Sequence, residues 1–299
     1  MERTLNSYPR EAEVKPECNE LVVTIPLKRA GRLLIIEAEV DSVRGNFIFD
    51  TGAPYLVLNK TYFRDYKKHR RGTASGIAGS EAVRSVEIDH LQFRGINYHD
   101  LDADLANLGA IENMRGIKIL GLLGFNLFKE FEMEIDVRNG VLKLYKTDEE
   151  GKTLESAPKA VCEIKQAIRI YDNTIFTDCY IADKKLRFGF DTGAETNALS
   201  SRVNKKILET ISITGRRTLN GVGDESVEIL FGRMNNFQLG ENSLLGMQTL
   251  ITNMDDMSAA YGTTVDGMLG FDFLAKGVVR INCKQNFMKL CLFDKFSNE

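Results

Sequence analysis

The chain repeats itself, and the repeat limits the folds open to it. Phe47-Ile48-Phe49-Asp50-Thr51-Gly52-Ala53 returns as Phe188-Gly189-Phe190-Asp191-Thr192-Gly193-Ala194, 141 residues later. Gly121-Leu122-Leu123-Gly124-Phe125-Asn126 returns as Gly267-Met268-Leu269-Gly270-Phe271-Asp272, 146 residues later, and Val141 to Tyr145 lines up with Phe287 to Cys291 at that same interval. Three segments recurring in one order mean that the 299 residues hold two copies of one structural unit. Lys146 to Lys159 contains Thr-Asp-Glu-Glu-Gly and Ser-Ala-Pro, polar turn formers with little to bury, and is the predicted linker. The halves are then 1–147 and 148–299.

Within each half the pattern is one of short strands. Leu21 to Ile25, Leu33 to Val40, Asn46 to Phe49, Val83 to Ile88, Phe131 to Val137 and Val141 to Tyr145 are rich in β-branched and aromatic residues and are separated by turns such as Arg138-Asn139-Gly140. Helical signals are fewer. Ser201 to Ile211 reads as a capped amphipathic helix, and Asn126 and Asp272 stand where short helices after Gly124 and Gly270 would take an N-cap. Strand and helix do not alternate at the spacing of a doubly wound sheet. The predicted architecture is mainly β: two pseudo-symmetric β-barrel lobes with short peripheral helices and a cleft between them.

Composition removes several classes. Apolar residues make up 43% and charged residues 27%, enough for a buried core. The 39 Lys and Arg against 42 Asp and Glu give a net charge of −3, so no broad positive field invites nucleic acid. No run of about 18 apolar residues predicts a membrane span. Met1 to Arg10 is polar and has no leader-like apolar stretch, which favours a cytoplasmic protein, although an exported chain whose leader had been removed would look the same. Met1 to Glu20 reads as a loose arm or an outer strand. Five cysteines, at 18, 162, 179, 283 and 291, form no Cys-x-x-Cys pair, and the odd count predicts reduced, mostly buried thiols rather than a disulfide framework or a zinc site. Cys291 falls in the repeat as an ordinary strand residue.

An Asp that ends an apolar strand and is followed by Thr-Gly-Ala places a charge where the chain turns sharply. One such Asp is ordinarily a turn former. Two copies change the reading: if the halves pack about a pseudo-two-fold axis, Asp50 and Asp191 converge over the cleft. Two carboxyls that close cannot both ionise readily, so they share a proton. The ionised partner can then take a proton from a water while the protonated one donates toward a carbonyl oxygen, which hydrolyses an amide without a covalent intermediate.

Asp-Thr-Gly-Ala after an apolar strand, then a glycine-rich segment, then two apolar residues and Gly, resembles the retropepsin-type aspartic proteases. Each half is similar to one retroviral protease subunit, over about residues 20–147 and 160–295. The resemblance implies a single-chain, bilobal endopeptidase, active as a monomer on peptide or protein substrates, with Asp50 and Asp191 as the catalytic pair and no cofactor or metal. It implies that Thr51 and Thr192 interlock beneath the pair, that Gly52 and Gly193 let backbone approach it, with Ala53 and Ala194 following, and that Leu122 to Gly124 and Met268 to Gly270 are loops packed behind. Gly76-Ile77-Ala78-Gly79 and Gly221-Val222-Gly223 stand where flap tips would be, with Ile77 and Val222 at the tips. No Tyr occupies either tip, unlike the single flap of pepsin-like enzymes.

The chain also departs from that family. Phe125-Asn126 and Phe271-Asp272 replace the usual Gly-Arg-Asn or Gly-Arg-Asp pattern, so the ion pair made by that Arg is not expected. Glu195 stands where retroviral enzymes place an acidic residue that binds substrate backbone, but the first copy has Pro54 there, so the two halves of the cleft are expected to be chemically unequal. Ala53 and Ala194 lack the hydroxyl that pepsin-like enzymes use to stabilise the ionised carboxylate, which predicts a weakly acidic to near-neutral optimum and a shift to lower pH in Ala53→Ser or Ala194→Ser.

Competing chemistries fail on spacing. Gly151-Lys152-Thr153 lacks the earlier Gly of a phosphate loop, because 146 is Lys. Gly221-Val222-Gly223 lacks the third Gly of a dinucleotide turn, because 226 is Ser. His69, His90 and His99 form no His-Glu-x-x-His array, and there is no Gly-x-Ser-x-Gly elbow. Glycosidases also use paired carboxylates but need no duplicated Asp-Thr-Gly. The remaining alternative is a catalytically silent, protease-like module that binds peptides without cutting them.

Overall fold

Strand Leu33–Val40 shows how each half is built. Successive side chains of a strand face opposite sides: Leu34, Ile36, Ala38 and Val40 enter the main core with Phe47 and Phe49 of the antiparallel neighbour Val43–Asp50, while Leu33 and Ile35 join Ile48 in a second cluster on the other face. The computed structural model describes residues 14–66, 68–76, 79–155, 162–220 and 226–293. It is mainly β and forms two barrel-like lobes.

The repeat extends through the whole strand order. Leu33–Val40 and Val43–Asp50 correspond to Thr174–Ile181 and Lys184–Phe190, and Phe131–Asp136 and Val141–Lys146 correspond to Gly277–Asn282 and Phe287–Leu292. The interval changes from 141 to 146 chiefly between Val57–Asn59 and its counterpart region, where Asn197–Ser200 is followed by Ser201 to Asn204 before helix Lys205–Leu208, whereas helix Lys60–Phe63 follows Asn59 directly. Even a surface motif is duplicated. Glu37 lies between Lys28 (3.0 Å) and Arg44 (2.7 Å), and Asp178 lies between Lys185 (2.9 Å) and Arg169.

The lobes share a sheet. Its order runs Val22–Pro26, Val141–Lys146, Phe131–Asp136, Gly277–Asn282, Phe287–Leu292, Ile164–Tyr171, all antiparallel, so three strands from each half meet where Phe131–Asp136 pairs with Gly277–Asn282. Buried polar groups join the two halves there: Glu132, 6% exposed, pairs with Arg280, 7% exposed, and accepts from Asn282 Nδ2 at 2.8 Å.

Three expectations need correction. The helix read over Ser201 to Ile211 is only Lys205–Leu208, capped by Asn204, whose side chain accepts from Lys206 N. Val203, Ile207 and Ile211 are all buried and mimic a helical period, but the Ser201 N–H is tied to Thr252 O at 2.7 Å and Ile211 already begins a strand. Asn126 and Asp272 are not N-caps: the chain leaves each strand at Gly124 or Gly270, which take the cap position because Phe125 and Phe271 must turn directly into the interior. Not all thiols are reduced. Ile164 pairs with Leu290 across antiparallel strands, which brings Cys162 beside Cys291 in a disulfide, while Cys18, Cys179 and Cys283 are free. A separation of 129 residues left no spacing signal for this pair. Among the described residues, no helix is long and apolar enough to cross a membrane.

Candidate active site

Strand Val43–Asp50 runs parallel to Gly121–Gly124, with Asp50 opposite Gly124, and Val57–Asn59 pairs antiparallel on the far side of that short strand. The second half repeats this with Lys184–Phe190, Gly267–Leu269 and Asn197–Ser200. The segments predicted as loops behind each Asp-Thr-Gly are therefore central strands. Gly270 permits the crossing in the second half, because a Cβ there would lie 2.6 Å from Ala194 O; a Cβ on Gly124 would strike the Tyr55 backbone.

Each Asp leaves its strand at the junction of the lobes, and the two carboxyl groups hydrogen-bond to each other. Asp50 Oδ1 accepts from Gly52 N at 2.9 Å and Ala53 N at 3.1 Å, and Asp191 Oδ1 accepts from Gly193 N at 2.8 Å. Gly52 and Gly193 are glycine for a steric reason, since a Cβ on either would run into the carboxyl of the opposite lobe. Below, the threonines make four bonds between the lobes, two of them with each other. Thr51 N donates to Thr192 Oγ1 and Thr192 N to Thr51 Oγ1, both at 3.0 Å, while Thr51 Oγ1 donates to Phe190 O at 3.2 Å and Thr192 Oγ1 to Phe49 O at 2.7 Å. Both threonines are buried, so water does not compete for these bonds.

Desolvation raises both carboxyl pKa values, and at Asp191 the Asp50 charge and the bond to Asp50 act in the same direction as burial. The bond from Asp191 and the backbone N–H groups of Ala53 and Gly52 oppose the rise at Asp50. The pair therefore shares one proton over a wide pH range. Both residues keep some accessible surface, so the pair can be reached from solvent.

The hairpins of the predicted flaps are long. Lys68–Gly76 pairs with Gly79–Phe93 as far as Gly76 opposite Gly79, and Ile211–Asn220 pairs with Ser226–Met234 as far as Asn220 opposite Ser226. Ile77, Gly221 and Val222 lie outside the described residues. Glu195 is occupied by the other lobe: Oε1 pairs with Arg115, and Oε2 accepts from Arg32 N at 3.3 Å. Arg32 also reaches Asp272 at 3.0 Å, so an arginine from the first lobe makes an ion pair although the expected Gly-Arg is missing. Thr196 Oγ1 donates to Asp272 Oδ2 at 2.6 Å.

A model of the aspartyl protease family matches the chain twice, at residues 36–127 and 177–273. The two matches span well over half of the sequence and each includes one Asp-Thr-Gly. This chain belongs to the aspartyl protease family, in a duplicated, two-lobed retropepsin-like form. A search of curated proteins finds no match.

Sequence reasoning missed Arg32, Arg115 and Tyr261. The 146-residue interval places Arg115 and Tyr261 at one position of the repeat, each at the end of a short helix, Gly109–Arg115 or Asp255–Ala260, and each followed by a left-handed glycine, Gly116 or Gly262. Nothing in the sequence says that either side chain crosses to the opposite lobe. The Arg115–Glu195 pair is about one quarter to one third exposed, at 22% and 32%. In a double-mutant cycle of Arg115→Gln and Glu195→Gln followed by thermal unfolding, we expect a coupling of about 1 kcal/mol; additivity would show that the contact adds nothing to lobe docking.

Proposed function

We propose that this chain is an aspartic endopeptidase in which Asp50 and Asp191 activate one water between them. The hydrogen-bonded carboxyl pair at the lobe junction carries this reading. Ionised Asp50 takes a proton from the water as it attacks the scissile carbonyl, and protonated Asp191 donates to the carbonyl oxygen. The tetrahedral diol collapses when Asp50 passes the water's proton to the amide nitrogen and Asp191 takes a proton back from a diol hydroxyl, which expels the amine and restores the starting state of the pair. Thr51 and Thr192 hold the two loops in register, and Gly52 and Gly193 keep the space between the carboxyls free of side chains. The substrate is a peptide or protein, extended beneath the two hairpins, the first of which is described as far as Gly76 opposite Gly79. Glu195 acts through its pairing with Arg115 and offers substrate little free carboxylate. The lobes divide at 147/148, their pseudo-two-fold arrangement supplies both aspartates from one chain, and the enzyme works as a monomer.

Incubation with a mixed peptide library tests this directly. Cleavage that is blocked by a pepstatin-like transition-state mimic is expected. Binding of the mimic without any cleavage would select a silent peptide-binding module instead.

The pH dependence has a definite sign. Activity requires one proton on the pair and is lost at low pH, when both carboxyls are protonated, and at high pH, when both are ionised. Burial moves both values upward, and Ala53 and Ala194 supply no hydroxyl to pull them back. A bell-shaped profile of kcat/KM with its maximum between weakly acidic and neutral pH is expected. Maximal turnover in strong acid would contradict it.

A further inference from the structure

Arg115 and Tyr261 occupy one position of the repeat, yet they touch different atoms. Arg115 crosses to the Asp191 loop and pairs with the Glu195 side chain. Tyr261 crosses to the Asp50 loop, where its hydroxyl donates to Gly52 O at 3.4 Å, a long bond. The residues around them follow the same split: Arg32, Glu195 and Asp272 are charged, while their counterparts Asn173, Pro54 and Asn126 are not.

The Gly52 carbonyl and the Ala53 N–H belong to one peptide group, and that N–H donates to Asp50 Oδ1 at 3.1 Å. A donor on a carbonyl polarises the amide and strengthens the bond that its N–H makes. The run Tyr261 O–H, Gly52 C=O, Ala53 N–H, Asp50 carboxylate is therefore a relay that, among the described residues, is found on the Asp50 side, while Arg115 engages Glu195 rather than the Gly193 carbonyl. The ring of Tyr261 is held edge-on against Phe176, with centroids 5.6 Å apart. We infer that Tyr261 is the positioning residue that breaks the equivalence of the two carboxyls, so that Asp50 carries the negative charge and Asp191 the proton. This rests on the proposal that the pair is the reacting centre, and it assigns the roles of base and acid within it.

The surroundings agree. The charged groups that bear on the Tyr261 hydroxyl are Asp191, Asp50 and Asp172, and burial together with these carboxylates keeps it protonated far above neutral pH, so it is a donor throughout the working range. Burial, the partner carboxyl and the backbone N–H groups set the titration of the carboxyl pair itself.

The test separates the two aspartates by removing one at a time and following the other's carboxyl carbon by NMR against pH. In the Asp191→Asn protein, adding Tyr261→Phe is expected to raise the pKa of the remaining Asp50 by about 0.2–0.5 pH unit, the size of a modest cooperative gain in one charge-assisted bond. In the Asp50→Asn protein the same change should move Asp191 clearly less, because no backbone relay joins Tyr261 to it. Tyr261→Phe keeps the ring against Phe176, and a matching thermal unfolding midpoint will show that the fold is retained. An unmoved Asp50, or equal movement of both carboxyls, would overturn the inference. The measurement needs no substrate: a shift at Asp50 alongside a wild-type chain that cleaves nothing would uphold the relay and sink the peptidase reading, and active wild-type enzyme with an unmoved Asp50 would do the reverse.

Discussion

Asp191→Asn is expected to lower kcat by about 10³-fold while leaving the protein folded, because the amide cannot give up a proton to the carbonyl oxygen. Asp50→Asn should cost as much, since the pair acts as a unit and either loss removes the same step. Stability moves the other way. Both carboxyls have folded-state pKa values raised by burial. A raised carboxyl favours the folded state fully below its unfolded pKa, and that contribution is lost as pH rises through the folded value. At neutral pH the wild-type pair therefore opposes folding, and replacing one member by Asn removes the cost of burying two carboxyls that must keep a proton between them. Thermal unfolding at neutral pH should show each Asn variant at least as stable as wild type, and the advantage should vanish in acid. Equal catalytic rates for wild type and either variant would end the dyad proposal, whatever the stability data showed.

The second large effect is on folding. Arg280 and Glu132 are 7% and 6% exposed and link the two halves of the shared sheet, with Asn282 bonding both Glu132 and the Gly151 carbonyl. Removing Arg280 leaves the Glu132 charge in a site closed to water, and removing Glu132 leaves Arg280 to the more distant Glu134 carboxylate, 3.8 Å from its Nε. Arg280→Met or Glu132→Leu alone is expected to cost about 3–5 kcal/mol, or roughly 10 °C in Tm. The double variant should cost less than either single one, because the desolvation penalty disappears with both charges. Additive losses in thermal unfolding would show that the two side chains contribute independently and that the shared sheet does not depend on their pairing.

These two sites differ in how far they can be read from residues alone. Asp50 and Asp191 stand out because the chain prints the same strand-turn motif twice, and burial of apolar residues at every second position fixes Leu33–Val40 and Val141–Lys146 within a residue or so. Glu132 and Arg280 give no such signal. Each is one polar residue in an alternating strand, and only the pairing of Phe131–Asp136 with Gly277–Asn282 turns an outward-looking position into a buried one. The same holds for the helix expected over Ser201 to Ile211, where local periodicity gave way to a backbone bond from Ser201 to Thr252. It holds for Cys162, which meets Cys291 only through sheet register.

By itself the sequence determined the duplication, the mainly β lobes and the residue types at the tips of the two Asp strands, because those follow from periodicities of two residues and from a motif repeated along one chain. Tertiary structure alone decided what crosses between the copies: that Glu195 is taken by Arg115 and Arg32, that Asp272 finds its arginine at position 32, and that Tyr261 reaches Gly52. Contacts across an interface depend on the docking angle of two packed bodies and on side-chain reach, and neither is encoded at short range.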